Sequence, residues 1–212
     1  MKMMLVGVPG AGKGTQAEVI AEALQIPHIS TGNLLRAAVA EETPLGLQVK
    51  EVLAQGALVS DQLVLGVLKD RLAEDDAQKG YILDGVPRTL GQAEALVSMG
   101  IEIEVCLFFD IQDDIILKRL SGRRTCKECG KAYHIEANPS KVENVCDVCG
   151  GALYIRSDDT VETIENRIRV YREETAPLID FYQAAGVLKS IPAEKSVEET
   201  TELVFATLGI NR

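Results

Sequence analysis

"MLVGVPGAGKGTQAEVIAEAL", Met4 to Leu24, decides how this chain is to be read. An apolar run ends at Gly7, a glycine-rich turn follows, and a helical pattern begins near Lys13. Strand, turn and helix in that order are the context of a phosphate-binding loop. Backbone N–H groups of the turn and of the helix N-terminus face an anion, and Lys13 adds a mobile positive charge. The usual form places Ser or Thr directly after the lysine. Here Gly14 stands there and the hydroxyl arrives at Thr15. A dinucleotide fingerprint is excluded, because G-x-G-x-x-G would need glycine at position 15. The shift has a chemical meaning: in nucleotide switches the hydroxyl after lysine ligates Mg²⁺ directly. With Gly14, the metal is expected to rest on the nucleotide's own phosphates and on water, with an acidic residue ordering that water.

The whole chain sets bounds on this reading. With 212 residues and 46% hydrophobic content it is long enough for one α/β domain carrying inserts. A formal charge of −10 and a pI near 4.8 argue against a general nucleic-acid binder, whose affinity rests on clustered Lys and Arg. The first apolar run stops at Pro9, and no stretch approaches the roughly 20 apolar residues of a membrane span. The expectation is a soluble, cytoplasmic protein without a membrane or nucleic-acid partner.

Short apolar runs alternate with longer helical patterns. "MMLVGV", "PHIS", "YILD", "EVCLFFD" and "VLKSI" read as strands apolar at nearly every position, as in a parallel sheet covered on both faces. Helices are expected over 13–24, 31–42, 45–55, 61–74, 89–98, 113–120, 160–185 and 196–208. Asp61 and Ser196 are expected as N-caps and Gly186 as a C-terminal stop. Two segments interrupt the rhythm: residues 30–59, with two short helices where one would do, and residues 122–159, which lose the helical pattern.

The second of these segments holds four of the five cysteines, as Cys126-x-x-Cys129 and Cys146-x-x-Cys149. Each pair is followed by glycine, where a tight turn aims backbone N–H groups at sulfur. Four thiolates in this array suit tetrahedral Zn²⁺ in a closed structural site, with iron or disulfides as the alternatives. Cys106, inside an apolar strand, reads as core packing. Arginines flank the segment on both sides, from Arg119 to Arg124 and from Arg156 to Arg167. A solvated helix face with i,i+4 pairs, such as Glu165 with Arg169, accounts for some of them. Transfer of a phosphoryl group between two nucleotides asks for such arginines and for no nucleophile or base.

"GVPGAGKGT" resembles the loop of adenylate kinases and related nucleoside monophosphate kinases. Further segments resemble the same family in order: "STGNLLR" (30–36), "GALVS" (56–60), "LDGVPRTLGQ" (83–92), "LKRLSGRR" (117–124) and "YIRSDD" (154–159). The resemblance covers nearly the whole chain. It implies a P-loop NTPase core with a five-stranded parallel sheet over 1–29, 60–121 and 160–212. A helical AMP-binding insert at 30–59 and a zinc-bearing lid at 122–159 complete the α/β fold. It implies ATP contacts at Gly10, Ala11, Gly12, Lys13, Gly14, Thr15, Arg119, Arg123, Ala132, Tyr133 and Lys195. AMP contacts are implied at Thr31, Arg36, Ala57, Leu58, Val59, Gly85, Val86, Pro87, Arg88, Gln92, Arg156 and Arg167. Among these, Lys13, Arg88, Arg123, Arg156 and Arg167 stabilise the moving phosphoryl group, and Asp84 orders water on Mg²⁺. Asp158 and Asp159 would orient the arginines, and Arg124, Arg169 and Arg172 are left to the surface.

Two residues depart from the family pattern, Asn33 where Asp is usual and Val86 where Phe is usual, which bears on the choice of monophosphate. The resulting expectation is a monomeric adenylate kinase converting Mg·ATP and AMP into two ADP. A kinase for UMP or CMP, or a nucleotide-dependent zinc-ribbon module, are the rival readings.

Overall fold

Alternation along the first strand builds two cores at once. In the computed structural model, which describes residues 1–210, β1 (Lys2–Val6) runs through the middle of the sheet. Met3 and Leu5 pack with Ala17, Ile20, Leu107, Phe109, Ile116 and Val204 on one face. Met4 and Val6 pack with Leu35, Val64, Leu68, Leu83, Leu96 and Leu178 on the other. Successive side chains of a strand point to opposite faces, so a strand apolar throughout belongs in a sheet covered on both sides. Cys106 is among the fully buried residues of the second core, as its apolar neighbours imply.

The remaining strands of this sheet are β2 (His28–Ser30), β3 (Tyr81–Asp84), β4 (Val105–Asp110) and β8 (Leu188–Pro192). The order is β2-β3-β1-β4-β8, with every neighbouring pair parallel. The chain leaves β1 toward one side for β2 and β3, then crosses to the other side for β4. Ligands of open parallel sheets sit at the carboxyl ends of strands at such a switch point. The register Leu5↔Asp84 brings the loop after β1 beside the end of β3.

Helices α1 (Lys13–Leu24), α6 (Asp113–Ser121), α7 (Val161–Val170) and α9 (Val197–Leu208) cover the first face. Helices α2 (Thr31–Ala40), α3 (Pro44–Ala54), α4 (Asp61–Leu72), α5 (Leu90–Ser98) and α8 (Pro177–Ala184) cover the second. Between α2 and α3 the backbones nearly touch: a Cβ on Gly46 would lie 2.0 Å from the Ala38 carbonyl oxygen. Only glycine allows that approach. Ser196 caps α9 with a reciprocal bond pair to Glu199, and Gly186, at φ 74, follows the end of α8.

Two expectations need correction. Asp61 is not an N-cap: Ser60 precedes α4 and Asp61 lies in its first turn, its carboxylate engaged elsewhere. The helix expected over 160–185 is divided by a π-helical turn, Tyr171–Thr175, ahead of Pro177. Proline has no N–H to continue the ladder, and one widened turn accommodates it. Residues 122–159, which lose the helical pattern in the sequence, hold β5 (Arg123–Cys126), β6 (Ala132–His134) and β7 (Leu153–Tyr154), an antiparallel sheet in the order β6-β5-β7. Strands of two to four residues are too short to show a period. The last two positions of the expected core segment, 211 and 212, lie outside the described residues.

Candidate active site

The loop after β1 turns through Gly10 at φ 90 and Gly12 at φ 92, conformations that side chains with a Cβ rarely adopt. Gly12 caps α1 without a side-chain hydrogen bond. The first N–H groups of a helix have no intrahelical partner, so this end presents free donors and partial positive charge. Lys13 folds back over the loop, its Nζ donating to the carbonyls of Gly7 (2.6 Å) and Val8 (3.0 Å). An ammonium has three protons, so one remains for a ligand. Burial pushes the Lys13 pKa down to about 8; Asp84 opposes that, while Arg88, Arg167 and Arg123 add to it.

Asp84 ends β3 directly beneath this loop. Its burial alone would raise its pKa, but a hydrogen bond from His28, with the charges of Lys13 and Arg88, holds it at about 2. His28 Nε2 lies 3.2 Å from Asp84 Oδ2. Sequence reasoning passed over His28, because only the pairing of β2 with β3 brings the two side chains together.

The arginines from both sides of residues 122–159 converge. Asp159, whose side chain is fully buried, receives Nε of Arg123 at 2.8 Å and a second bond from the same guanidinium. Asp158 binds Arg156 in the same forked manner. Arg167 donates to Asp159 at 3.0 Å and lies 3.2 Å from Asp158. Arg88 is fixed along its whole length. Its backbone N–H donates to Gln92 (2.7 Å), its Nε to the Gly85 carbonyl (2.9 Å), and its carbonyl accepts from Thr175 (2.8 Å). Arg36 donates to Asn33 at 2.5 Å. Burial lowers the pKa of Arg36, Arg88, Arg123 and Arg167, and like charge from Arg156 lowers each further. Guanidinium starts so high that all four stay charged at neutral pH. Burial accounts for most of the lowering and repulsion among the gathered cations for the rest, and an anion bound among them would oppose both.

Two cavities meet at this cluster. The larger, about 330 Å³, is lined by Gly10, Ala11, Gly12, Lys13, Gly14, Thr15, Arg119, Arg123, Ala132, Tyr133 and Lys195. The smaller, about 50 Å³, is lined by Thr31, Ala57, Leu58, Val59 and Gln92. Arg36, Gly85, Arg88, Arg156 and Arg167 line both. Pro87 faces the larger cavity. Val86 is not among the residues lining either; it is 1% exposed and packs in the second core. Thr31 donates its hydroxyl to the Gly85 carbonyl at 3.0 Å. Arg119 donates to the Lys195 carbonyl at 3.2 Å, and both residues line the larger cavity. Arg124 and Arg172 make surface contacts, and Arg169 pairs with Glu173, not with Glu165.

Tyr133 turns its hydroxyl away from the cavity. It lies 3.4 Å from Cys146 Sγ and accepts the Asp147 N–H at 2.8 Å. The Sγ atoms of Cys126, Cys129, Cys146 and Cys149 all lie within 4.8 Å of one another. Cys126–Cys149 and Cys129–Cys146 are 3.5 and 3.6 Å apart. A bonded disulfide needs about 2.05 Å, whereas a tetrahedron with Zn–S of about 2.3 Å needs an edge of about 3.8 Å. The donor set fits zinc and not disulfides.

Comparison with known proteins adds an independent line. The family model described as "Adenylate kinase" matches residues 5–187. A protein named "Adenylate kinase" from Carboxydothermus hydrogenoformans is 49% identical over 212 residues, 98% of this chain and 97% of its own. One of the same name from Thermodesulfovibrio yellowstonii is 50% identical over 212 residues, covering 98% of this chain and 99% of its own. A third, from Bacillus cytotoxicus, is 48% identical over 214 residues, covering 99% and 97%.

Proposed function

The chain belongs to the adenylate kinase family and is a phosphotransferase, and from that premise we propose how its residues carry the reaction Mg·ATP + AMP ⇌ 2 ADP. The observation that carries the proposal is the junction of the two cavities, where one wall of arginines belongs to both. A triphosphate laid along the loop at Gly10–Thr15 places its terminal phosphate there. A monophosphate entering from the smaller cavity meets it at the same place. Held so, attacking and leaving oxygens come into line, and positioning replaces covalent help.

Lys13 holds the outer phosphates from the loop side. Arg123, Arg156 and Arg167 surround the phosphoryl group in transit, each kept in its pose by Asp158 or Asp159. Arg36 and Arg88 grip the monophosphate, since a planar guanidinium binds two phosphate oxygens at once. The base of that nucleotide rests against Ala57, Leu58 and Val59 and meets Gln92. Residues 30–59 and 122–159 act as the two inserts that close over the substrates and exclude water.

Two metals fit the residues present. Asp84, an ionised carboxylate next to the loop and close to Gly14, suits a hard cation that keeps its waters. Mg²⁺ bound there with ATP would supply charge neutralisation on the phosphates. Zn²⁺ in the four-cysteine site would hold the lid strands together and do no chemistry, since four protein ligands leave no open position. No helix among the described residues is long and apolar enough to cross a membrane.

Lys13→Ala, Arg88→Ala and Arg123→Ala each test the assignment. Turnover is expected to fall by a factor on the order of 100 or more, as for loss of a transition-state charge contact. Near-normal kcat in any one of them removes that residue from the site.

A further inference from the structure

The Gln92 side chain is gripped by two neighbours of opposite and fixed polarity. The backbone N–H of Arg88, which can only donate, points at Oε1 over 2.7 Å. The carboxylate of Asp61 accepts from Nε2 over 2.7 Å. The second oxygen of Asp61 accepts from the Thr89 hydroxyl at 3.1 Å. Thr89 in turn caps α5 by accepting the Gln92 N–H at 3.1 Å. Gln92 is 1% exposed and faces the smaller cavity. Rotating its amide by half a turn would set NH₂ against N–H on one side and oxygen against carboxylate on the other. Both contacts would become repulsive, so the neighbours dictate the orientation.

We propose that Asp61 is a specificity-determining positioning residue. By fixing the Gln92 amide it selects a 6-aminopurine monophosphate over a 6-oxopurine one. This rests on the reading above in which Gln92 meets the base. With one N–H committed to Asp61 and one lone pair to Arg88, the amide keeps one donor and one acceptor for a ligand. Adenine presents a donor at N6 beside an acceptor at N1. Hypoxanthine presents an acceptor at O6 beside a donor at N1. The two bases have nearly the same shape, so apolar walls separate them poorly. A site with a fixed donor and acceptor order separates them well.

The test is a polarity change that preserves shape. Asn in place of Asp61 can accept from the Gln92 amide or donate to it, and so supports either orientation. The full chain carrying Asp61→Asn, Asp61→Ala or Gln92→Ala is assayed with saturating Mg·ATP and either AMP or IMP. Thermal unfolding of each variant identifies a folding defect separately. Asp61→Asn is expected to lower the AMP-over-IMP ratio of kcat/KM about tenfold, the scale of one hydrogen bond to a charged group. KM for ATP should stay at its parent value. Asp61→Ala should lower the ratio in the same direction. If Gln92→Ala collapses the ratio while both Asp61 variants keep it, the role of Asp61 is overturned and the reading of Gln92 survives. If Gln92→Ala leaves the ratio untouched, Gln92 does not read the base, and both fall.

Discussion

Lys13 sits where burial and neighbouring arginines work against its own charge, and a bound polyphosphate would reverse that balance. With a free-protein pKa near 8, the lysine is charged below that value and neutral above it. Phosphate binding needs the charged form, so kcat/KM for ATP should decline as pH rises through about 8. A pH profile flat from 7 to about 10, near the ordinary lysine pKa, would mean that Lys13 is either not titrating or not needed. Residues whose chemistry is carried by type and spacing were legible at this scale: the loop glycines, Lys13, the arginines and the four cysteines. His28 and Asp61 were not, because each acts through a partner brought near by strand pairing or helix packing. The burial of Val86 was not legible for the same reason. Its neighbours in sequence line the cavities, while its own side chain turns into the core.

Between elements, one contact joins the proposed lid, residues 122–159, to α1 and can be varied. Lys131, in the turn before β6, pairs with Glu18 on α1 at 3.0 Å, the two side chains being 32% and 37% exposed. An exposed pair of this kind contributes at most about 1 kcal/mol. Glu18→Gln should therefore raise KM for ATP only two- to threefold, on the order set by such pairs. The exchange Glu18→Lys with Lys131→Glu should restore it. No recovery in the exchanged protein would show that the pair does not hold the lid down.

Zinc in the proposed four-cysteine site would be the larger element-scale term. The lid's own buried apolar cluster is Cys126, Tyr133 and Cys146 with Leu153 packed on it, too small to hold three short strands without a staple. Protein purified without chelator should carry about one zinc per chain, as a four-thiolate structural site requires. Stripping the metal should lower the melting temperature and raise KM for ATP, because the lid strands lose their crosslink. Far less than one zinc with an unchanged melting temperature would refute this. The five strands of the main sheet were readable as apolar runs, but the lid strands and the π turn were not. Periodicity needs more residues than those elements have, and a single widened turn leaves no mark on composition.

Across the whole molecule, charge is distributed against its average. The chain carries a formal −10, yet Lys13, Arg36, Arg88, Arg123, Arg156 and Arg167 gather around one junction of two cavities. Acidic surface and basic interior together favour a small polyanion inside the cleft over nucleic acid outside it. Motif order was visible in the sequence because the segments come in succession along the chain. Their convergence was not, since it depends on the crossover at β1 and on the Asp158 and Asp159 contacts that draw the arginines in. The central claim is that these two cavities hold a donor and an acceptor nucleotide at once. It is tested most directly by incubating the pure protein with Mg·ATP and, in turn, AMP, GMP, CMP or UMP, and quantifying every nucleotide over time. The account predicts two ADP for each AMP consumed, with AMP the fastest acceptor. ADP formed without loss of AMP, or faster transfer to a pyrimidine monophosphate, would contradict it.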